Sequence, residues 1–162
     1  MPARKKSASM PRFKGLNPRS AATSRVGAAN RKKNTAPETL LRKALAASGL
    51  RFRLHAKGLP GCPDLVFRRR KIAVFCDGDF WHGRNWAKRK RKLSAGWNAE
   101  YWVSKIQRNR ERDRAVGREL KRSGWRVIRL WESQVRRDAA SAAAKVLAIV
   151  ADGNDANAVA RL

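Results

Sequence analysis

Ile72-Ala-Val-Phe-Cys-Asp-Gly-Asp-Phe-Trp-His-Gly83 opens as an apolar run and closes on two carboxylates, two adjacent rings and an imidazole. Ile72 to Phe75 is apolar at every position, the pattern of a central strand covered on both faces. The polar residues that follow therefore gather at the mouth of that strand.

Working outward, Asp64-Leu-Val-Phe67 reads as a second strand, and the short Arg68-Arg-Arg70 connection makes the pair an antiparallel hairpin. Arg51 to His55 reads as a short edge strand, with Gly58, Pro60 and Gly61 turning the chain after it. Upstream, Thr35-Ala-Pro-Glu38 is a helix start: Thr35 caps, Pro37 fits the first turn and Glu38 can close a capping box. Leu41 and Leu45 follow Glu38 at three and seven residues, which puts this acid on the core-facing side of the helix.

Downstream, residues 84 to 98 form a basic insertion, either loop or short helix. From Ala99 to Lys121, Trp102, Ile106, Asn109, Asp113, Val116 and Leu120 recur at alternating steps of four and three, a long amphipathic helix that Gly124 ends. Trp125 to Trp131 is rich in β-branched and aromatic residues and reads as another sheet strand. An Ala-rich helix is expected from about Gln134 to Val150, and residues 151–162 as a frayed tail. Helices before and after a small mixed sheet make a compact α/β domain over residues 34–150.

The 162 residues suffice for one domain of ordinary size, with 43% hydrophobic residues to build its core. Lys and Arg number 39 against 12 Asp and Glu, for a formal charge of +27. Self-repulsion on that scale calls for a polyanion partner, and nucleic acid is the commonest. Residues 1–33 hold ten Lys or Arg and no acid, the composition of a disordered basic arm that can lie along phosphates. Cys62 and Cys76 form no CxxC pair, which argues against a disulfide scaffold and a thiolate cluster and suits a reducing, cytoplasmic setting. No apolar run is long enough to span a membrane, and the basic N-terminus lacks a secretory core.

Antiparallel pairing brings the start of the first hairpin strand beside the end of the second, so Asp64 can approach Asp77 or the Cys76 carbonyl. Converging oxygens of this kind suit Mg²⁺. Three of the 12 acids, Asp64, Asp77 and Asp79, fall close together in an arginine-rich chain, where carboxylate would repel phosphate unless a cation bridges them. His82 has the near-neutral imidazole needed to move a proton at phosphorus. His55, in the weak edge strand, reads as structural. Phe80 and Trp81 either plug the core or wedge between bases. Glu38 either orients a metal-associated water or completes the capping box. Lys88, Arg89, Lys90, Arg91 and Lys92 form a backbone-gripping run, and Lys105 and Arg112 are placed to touch phosphate on the long helix.

The blocks Thr35-Ala-x-Glu38, Leu59-Pro-Gly-x-Pro-Asp64, Val74-Phe75 with Gly78-x-Phe-Trp-His82, Trp102-x-x-Lys105-Ile-x-x-Asn109-x-x-Arg-Asp113, and Gly124-Trp-Arg-Val127 with Trp131-Glu132 resemble, in order and spacing, the very short patch repair (Vsr) endonucleases. That family nicks DNA beside T:G pairs on a restriction-endonuclease-like core, a mixed sheet between helices in an α/β/α arrangement. The resemblance implies that Asp64 is the principal acid for Mg²⁺ or Mn²⁺, the Cys76 main-chain carbonyl a second ligand, and His82 the catalytic imidazole. It makes Glu38 a water-mediated metal partner and Phe80-Trp81 the intercalating rings. It further implies a monomer acting on duplex DNA, near the nucleoid and alongside mismatch-repair proteins.

Two departures stand out. Asp77 occupies a position where the family often carries a second histidine, and is expected either to bind metal or to hold a water. Asp79, Arg84, Trp86 and Ser133 stand where the family keeps soft zinc ligands, so structural zinc is not expected. The loss leaves room for a related nuclease with a broader DNA substrate. A third possibility is a catalytically inactive nucleic-acid-binding protein on the same scaffold.

Overall fold

The structure, a computed structural model, describes residues 33–159, with side chains through residue 152. The basic arm expected over residues 1–33 thus lies outside the described residues, Lys33 excepted. Helix α1 (Ala36–Ala46) starts as its sequence dictates: Thr35 is the N-cap with extended backbone, its hydroxyl accepts the Glu38 N–H at 3.5 Å, and Pro37 lies in the first turn. Its inward side buries Pro37, Glu38, Leu41 and Leu45.

Four strands follow in spatial order, β1 (Arg53–Leu54), β2 (Leu65–Phe67), β3 (Ile72–Asp77) and β4 (Arg126–Trp131). β1–β2 and β2–β3 are antiparallel, the latter closed by a 3₁₀ turn (Arg68–Arg70) that ends on Lys71 in the left-handed region. β4 returns parallel to β3, with Cys76 opposite Leu130 and Asp77 opposite Trp131. A parallel return needs a crossover. Helices α2 (Trp86–Ser94) and α3 (Ala99–Arg122) supply it.

Period-two alternation along β3 sorts its side chains onto two faces. Ile72 and Val74 join Leu65, Phe67, Ile128 and Leu130 against Leu41 and Leu45 of α1 and against α4 (Glu132–Arg137) and α5 (Ala139–Val159). Ala73 and Phe75 face the other way, onto Leu120 and Val116 of α3. The mixed sheet therefore lies between two helical layers, the α/β/α architecture that the resemblance implied. Each fully buried aliphatic side chain contributes on the order of 1.5–3 kcal/mol, so the larger α1/α5 face carries most of the apolar stabilisation.

Of the two alternatives for the basic insertion, the structure has the short helix, α2. One boundary differs from expectation: the expected helix from Gln134 to Val150 is two helices, the second continuing to Val159. Asp138 makes the break: its backbone is extended at φ −156°, and its carboxylate accepts the Ser141 N–H at 2.8 Å, which ends α4 and caps α5.

Candidate active site

The hairpin brings Asp64 to the end of β3, where its Oδ2 accepts the Cys76 N–H at 2.8 Å. Burial pushes the Asp64 carboxyl up to about 6; the Cys76 hydrogen bond opposes this, and the charges of Glu38 and Asp77 add to it. Asp64 has no ion-pair partner among the described residues. Burial likewise raises the Cys76 thiol to about 12, so its sulfur stays protonated against the core.

Glu38 reaches the same corner from α1. It is 3% exposed and fully partnered: Oε2 accepts from the Asn34 N–H and from Arg42 Nη2, both at 2.9 Å, and Oε1 from the Thr35 hydroxyl at 2.9 Å. One carboxylate thus fastens the helix start and lies beside Asp64. His55 belongs here as well, contrary to its reading as a merely structural edge-strand residue. Ligand atoms of Glu38, His55 and Asp64 all lie within 4.8 Å of one another. His55 Nε2 is also 3.0 Å from Arg42 Nη2, and burial followed by Arg42 lowers its pKa, favouring the neutral ring. Hairpin register was the available signal, because Leu54 pairs with Leu65 and the next residue then faces Asp64.

A second constellation lies on the α3 side of the same strand end. His82 Nδ1 is 2.6 Å from Asp113 Oδ2 and 3.6 Å from Asp77 Oδ1. Burial acts to raise the Asp113 carboxyl, but the hydrogen bond and charge of His82, with Arg129 and Arg112, hold it below its ordinary value. Asp77, expected either to bind metal or to hold a water, instead meets a guanidinium here. It is buried, and both its oxygens are engaged by Arg129, Nε to Oδ2 at 2.5 Å and Nη2 to Oδ1 at 2.7 Å. A forked guanidinium already neutralises this acid.

Asp113 and Asn109, polar residues on an otherwise apolar stripe, both find partners in the turn after β3. Asn109 Nδ2 donates to the Trp81 carbonyl at 3.0 Å, and Asp113 takes His82. Gly83 closes that turn at φ +68°, where a Cβ would lie 2.8 Å from Arg110 Cδ and 3.0 Å from Ile106 Cγ2, so only glycine lets the turn sit this close to α3.

Phe80 and Trp81 are half-buried and stack edge-on at 5.1 Å between ring centroids. Trp102 joins them at 5.4 and 6.0 Å, and Tyr101 adjoins Trp102 at 5.0 Å. Lys105 Nζ lies 5.4 Å from the Trp81 centroid and donates to the Tyr101 hydroxyl at 2.6 Å. In α2, Lys88, Lys90, Arg91 and Lys92 are exposed, as is Arg112 on α3. Arg89 is instead part of the scaffold: its Nε donates to the Arg84 carbonyl at 3.3 Å and its guanidinium lies over Phe80 at 5.4 Å.

The four positions where the resemblance would put zinc ligands hold another brace. Asp79 pairs with Arg84 at 3.2 Å and accepts the Ser133 N–H at 3.4 Å, while Trp86 lies under Arg110 at 5.2 Å. The ion pair thus closes the turn on itself, the Ser133 N–H ties it to the start of α4, and the cation–π contact ties the start of α2 to α3.

A family model described as DNA mismatch endonuclease Vsr matches residues 19–88, the segment carrying Glu38, Asp64, Cys76 and His82. Among curated proteins, the chain is 43% identical to the type II nicking enzyme V.NmeDIP of Neisseria meningitidis over 76% of this chain and 82% of that one. The chain belongs to the Vsr family. It is 40% identical to the type II nicking enzyme V.NaeI of Lentzea aerocolonigenes over 87% of this chain and 86% of that protein. With the DNA mismatch endonuclease Vsr of Escherichia coli it shares 36% identity over 64% of this chain and 65% of that one. Within the Vsr frame, the strand end of β3 joins two groups: Glu38, His55 and Asp64 from one side, Asp77, His82, Asp113 and Arg129 from the other.

Proposed function

We propose that the protein is a divalent-metal-dependent DNA endonuclease that nicks duplex DNA at or beside a T:G mismatch. The observation that carries this reading is that a desolvated Asp64 carboxylate and an imidazole held by Asp113 flank the same two residues, Cys76 and Asp77.

The donor set fits a hard cation. Asp64 is a half-buried carboxylate without an ion-pair partner among the described residues, and the buried Glu38 stands beside it. Asp64 would hold Mg²⁺ or Mn²⁺ together with the Cys76 main-chain carbonyl, and Glu38 would act through a water. When bound, such an ion supplies positive charge to the phosphate oxygens. His82 needs a proton on Nδ1 to bond the Asp113 carboxylate, which leaves the Nε2 lone pair free to accept a proton from attacking water. Phe80 and Trp81, backed by Trp102, form a wedge that can enter a base step, and an unpaired or mispaired step costs least to open. Lys88, Lys90, Arg91 and Lys92 on α2 and Arg112 on α3 supply phosphate contacts. The protein would work as a monomer in the cytoplasm, on the nucleoid and beside mismatch-repair proteins.

A related nuclease with a different DNA substrate is the second reading. The Asp79–Arg84 brace in place of soft ligands favours it. A cleavage panel separates the two, using matched, T:G-mismatched and single-stranded oligonucleotides with Mg²⁺, with EDTA, and with Asp64→Ala. Mismatch-selective, metal-dependent nicking that the variant loses supports the first. Equal rates on matched and mismatched duplexes select the second, and binding without cleavage would leave only a nucleic-acid-binding protein.

A further inference from the structure

β4 carries two arginines with opposite placements. Arg126 is exposed, as a strand arginine ordinarily is, whereas Arg129 turns onto the face of Phe75 and Asp77, its side chain 28% exposed. The parallel register puts Arg129 opposite Phe75, and its guanidinium lies over that ring at 4.9 Å. From there it forks onto Asp77 and also reaches α3: Nη2 is 3.3 Å from Asp113 Oδ1 and Nη1 is 3.5 Å from the Asp113 main-chain oxygen. Nη2 stands 3.5 Å from His82 Nδ1.

Without this cation, His82 Nδ1 would face two carboxylates, Asp113 and Asp77, with an acceptor available from each. With the fork in place both Asp77 oxygens are engaged, and Asp113 is the acceptor left for the imidazole. We propose that Arg129 is a positioning residue of the nicking reaction: by clamping Asp77 and bridging to Asp113, it keeps Asp77 out of the metal's ligand set and leaves Asp113 as the acceptor of the His82 Nδ1–H, which fixes the ring with Nε2 toward the phosphate. This rests on the nuclease reading above for its catalytic consequence, but the geometry of the imidazole can be read independently of cleavage. Lysine is a poor substitute, because a single ammonium cannot fork onto one carboxylate while bridging to another.

Three variants test it: Arg129→Gln, Arg129→Lys, and the double variant Asp77→Asn/Arg129→Gln, which leaves a neutral amide pair where the ion pair stood. Rates are single-turnover nicking at saturating DNA and Mg²⁺, and the ¹⁵N and Nδ1–H proton shifts of the His82 ring are recorded at pH 8 with and without Mg²⁺. We expect Arg129→Gln to nick about 10- to 100-fold more slowly, the size of loss that a misplaced catalytic group produces, with DNA affinity within about twofold of wild type. Its His82 Nδ1–H proton should shift and broaden, because two carboxylates then compete to accept it. Arg129→Lys should recover only part of the rate, and the double variant should nick faster than Arg129→Gln, since no free carboxylate then competes for the ring.

A wild-type Nδ1–H signal in a folded Arg129→Gln protein, or an undiminished nicking rate, would overturn the proposal. If Arg129→Gln does not fold, the double variant and the wild-type ring decide: a wild-type ring without a proton on Nδ1 overturns it, and an Nδ1–H signal that shifts in the Arg129→Lys protein supports it. Failure of the wild type to cut any DNA would count against the nuclease reading alone, because the Nδ1–H signals of wild type and variants still decide what Arg129 does to the imidazole.

Discussion

Asp113 Oδ2 and His82 Nδ1 lie 2.6 Å apart, joining the middle of α3 to the turn that follows β3. The bond is charge-assisted and sets which ring nitrogen keeps its lone pair. Asp113→Asn replaces a pure acceptor with a group that can also donate to Nδ1, which would turn the lone pair away from the substrate. Nicking should fall by roughly 10²–10⁴-fold, the range associated with losing a positioned general base. DNA binding should be nearly unchanged, measured by fluorescence anisotropy beside single-turnover cleavage.

Asp64 makes the metal-free protein sensitive to pH in a defined direction. Its carboxyl is raised from 3.8 to about 6, so between these values the folded protein holds a proton that the unfolded chain has released. Stability contributed by this group therefore falls as pH rises through that window, and above it the ionised carboxylate is a net cost. Asp64→Asn should remove the slope and stabilise the EDTA-treated protein by roughly 2–3 kcal/mol at pH 8. At pH 4 the gain should nearly vanish. Urea titrations at both pH values check this, and the same variant should not nick DNA.

The Asp79–Arg84–Ser133 brace should hold the turn without zinc. Elemental analysis of the purified protein should show no stoichiometric zinc, and a zinc-selective chelator should leave the melting temperature unchanged. Asp79→Ala releases Arg84 and the Ser133 N–H together. Because the pair is partly solvated, the loss should be modest, about 1–2 kcal/mol by thermal denaturation.

Helix α2 should act through phosphate charge and not through base identity. Replacing Lys88, Lys90, Arg91 and Lys92 by Gln should weaken binding to all duplexes alike and lower the slope of log affinity against log salt by roughly one for each phosphate no longer neutralised. Arg89→Gln should behave differently, because Arg89 packs on Phe80. Salt-dependent binding isotherms on matched and mismatched duplexes separate the two effects.

Much of this architecture is legible in the chain itself. Hydrophobic period identifies β3 as a central strand, the three-residue arginine connection makes the hairpin, and the alternating stripe from Trp102 to Leu120 defines α3. These signals are local, since backbone geometry repeats over two or 3.6 residues and burial imprints that repeat on composition. The approach of Asp64 to the Cys76 end of β3 is also legible, because antiparallel pairing sets it.

What the tertiary structure alone decided is who partners whom. From the sequence Asp77 is a metal ligand or a water holder; in the fold Arg129, 52 residues away, occupies both its oxygens. Asp113 was an unexplained acid on an apolar stripe until His82, 31 residues distant, met it. His55 looked like an edge-strand residue until hairpin register set it beside Glu38 and Asp64. Hydrogen bonds and ion pairs act over about 3 Å, and chain segments so far apart come within that reach only through strand register and the crossing of α3 over the sheet, neither of which leaves a periodic trace in the sequence.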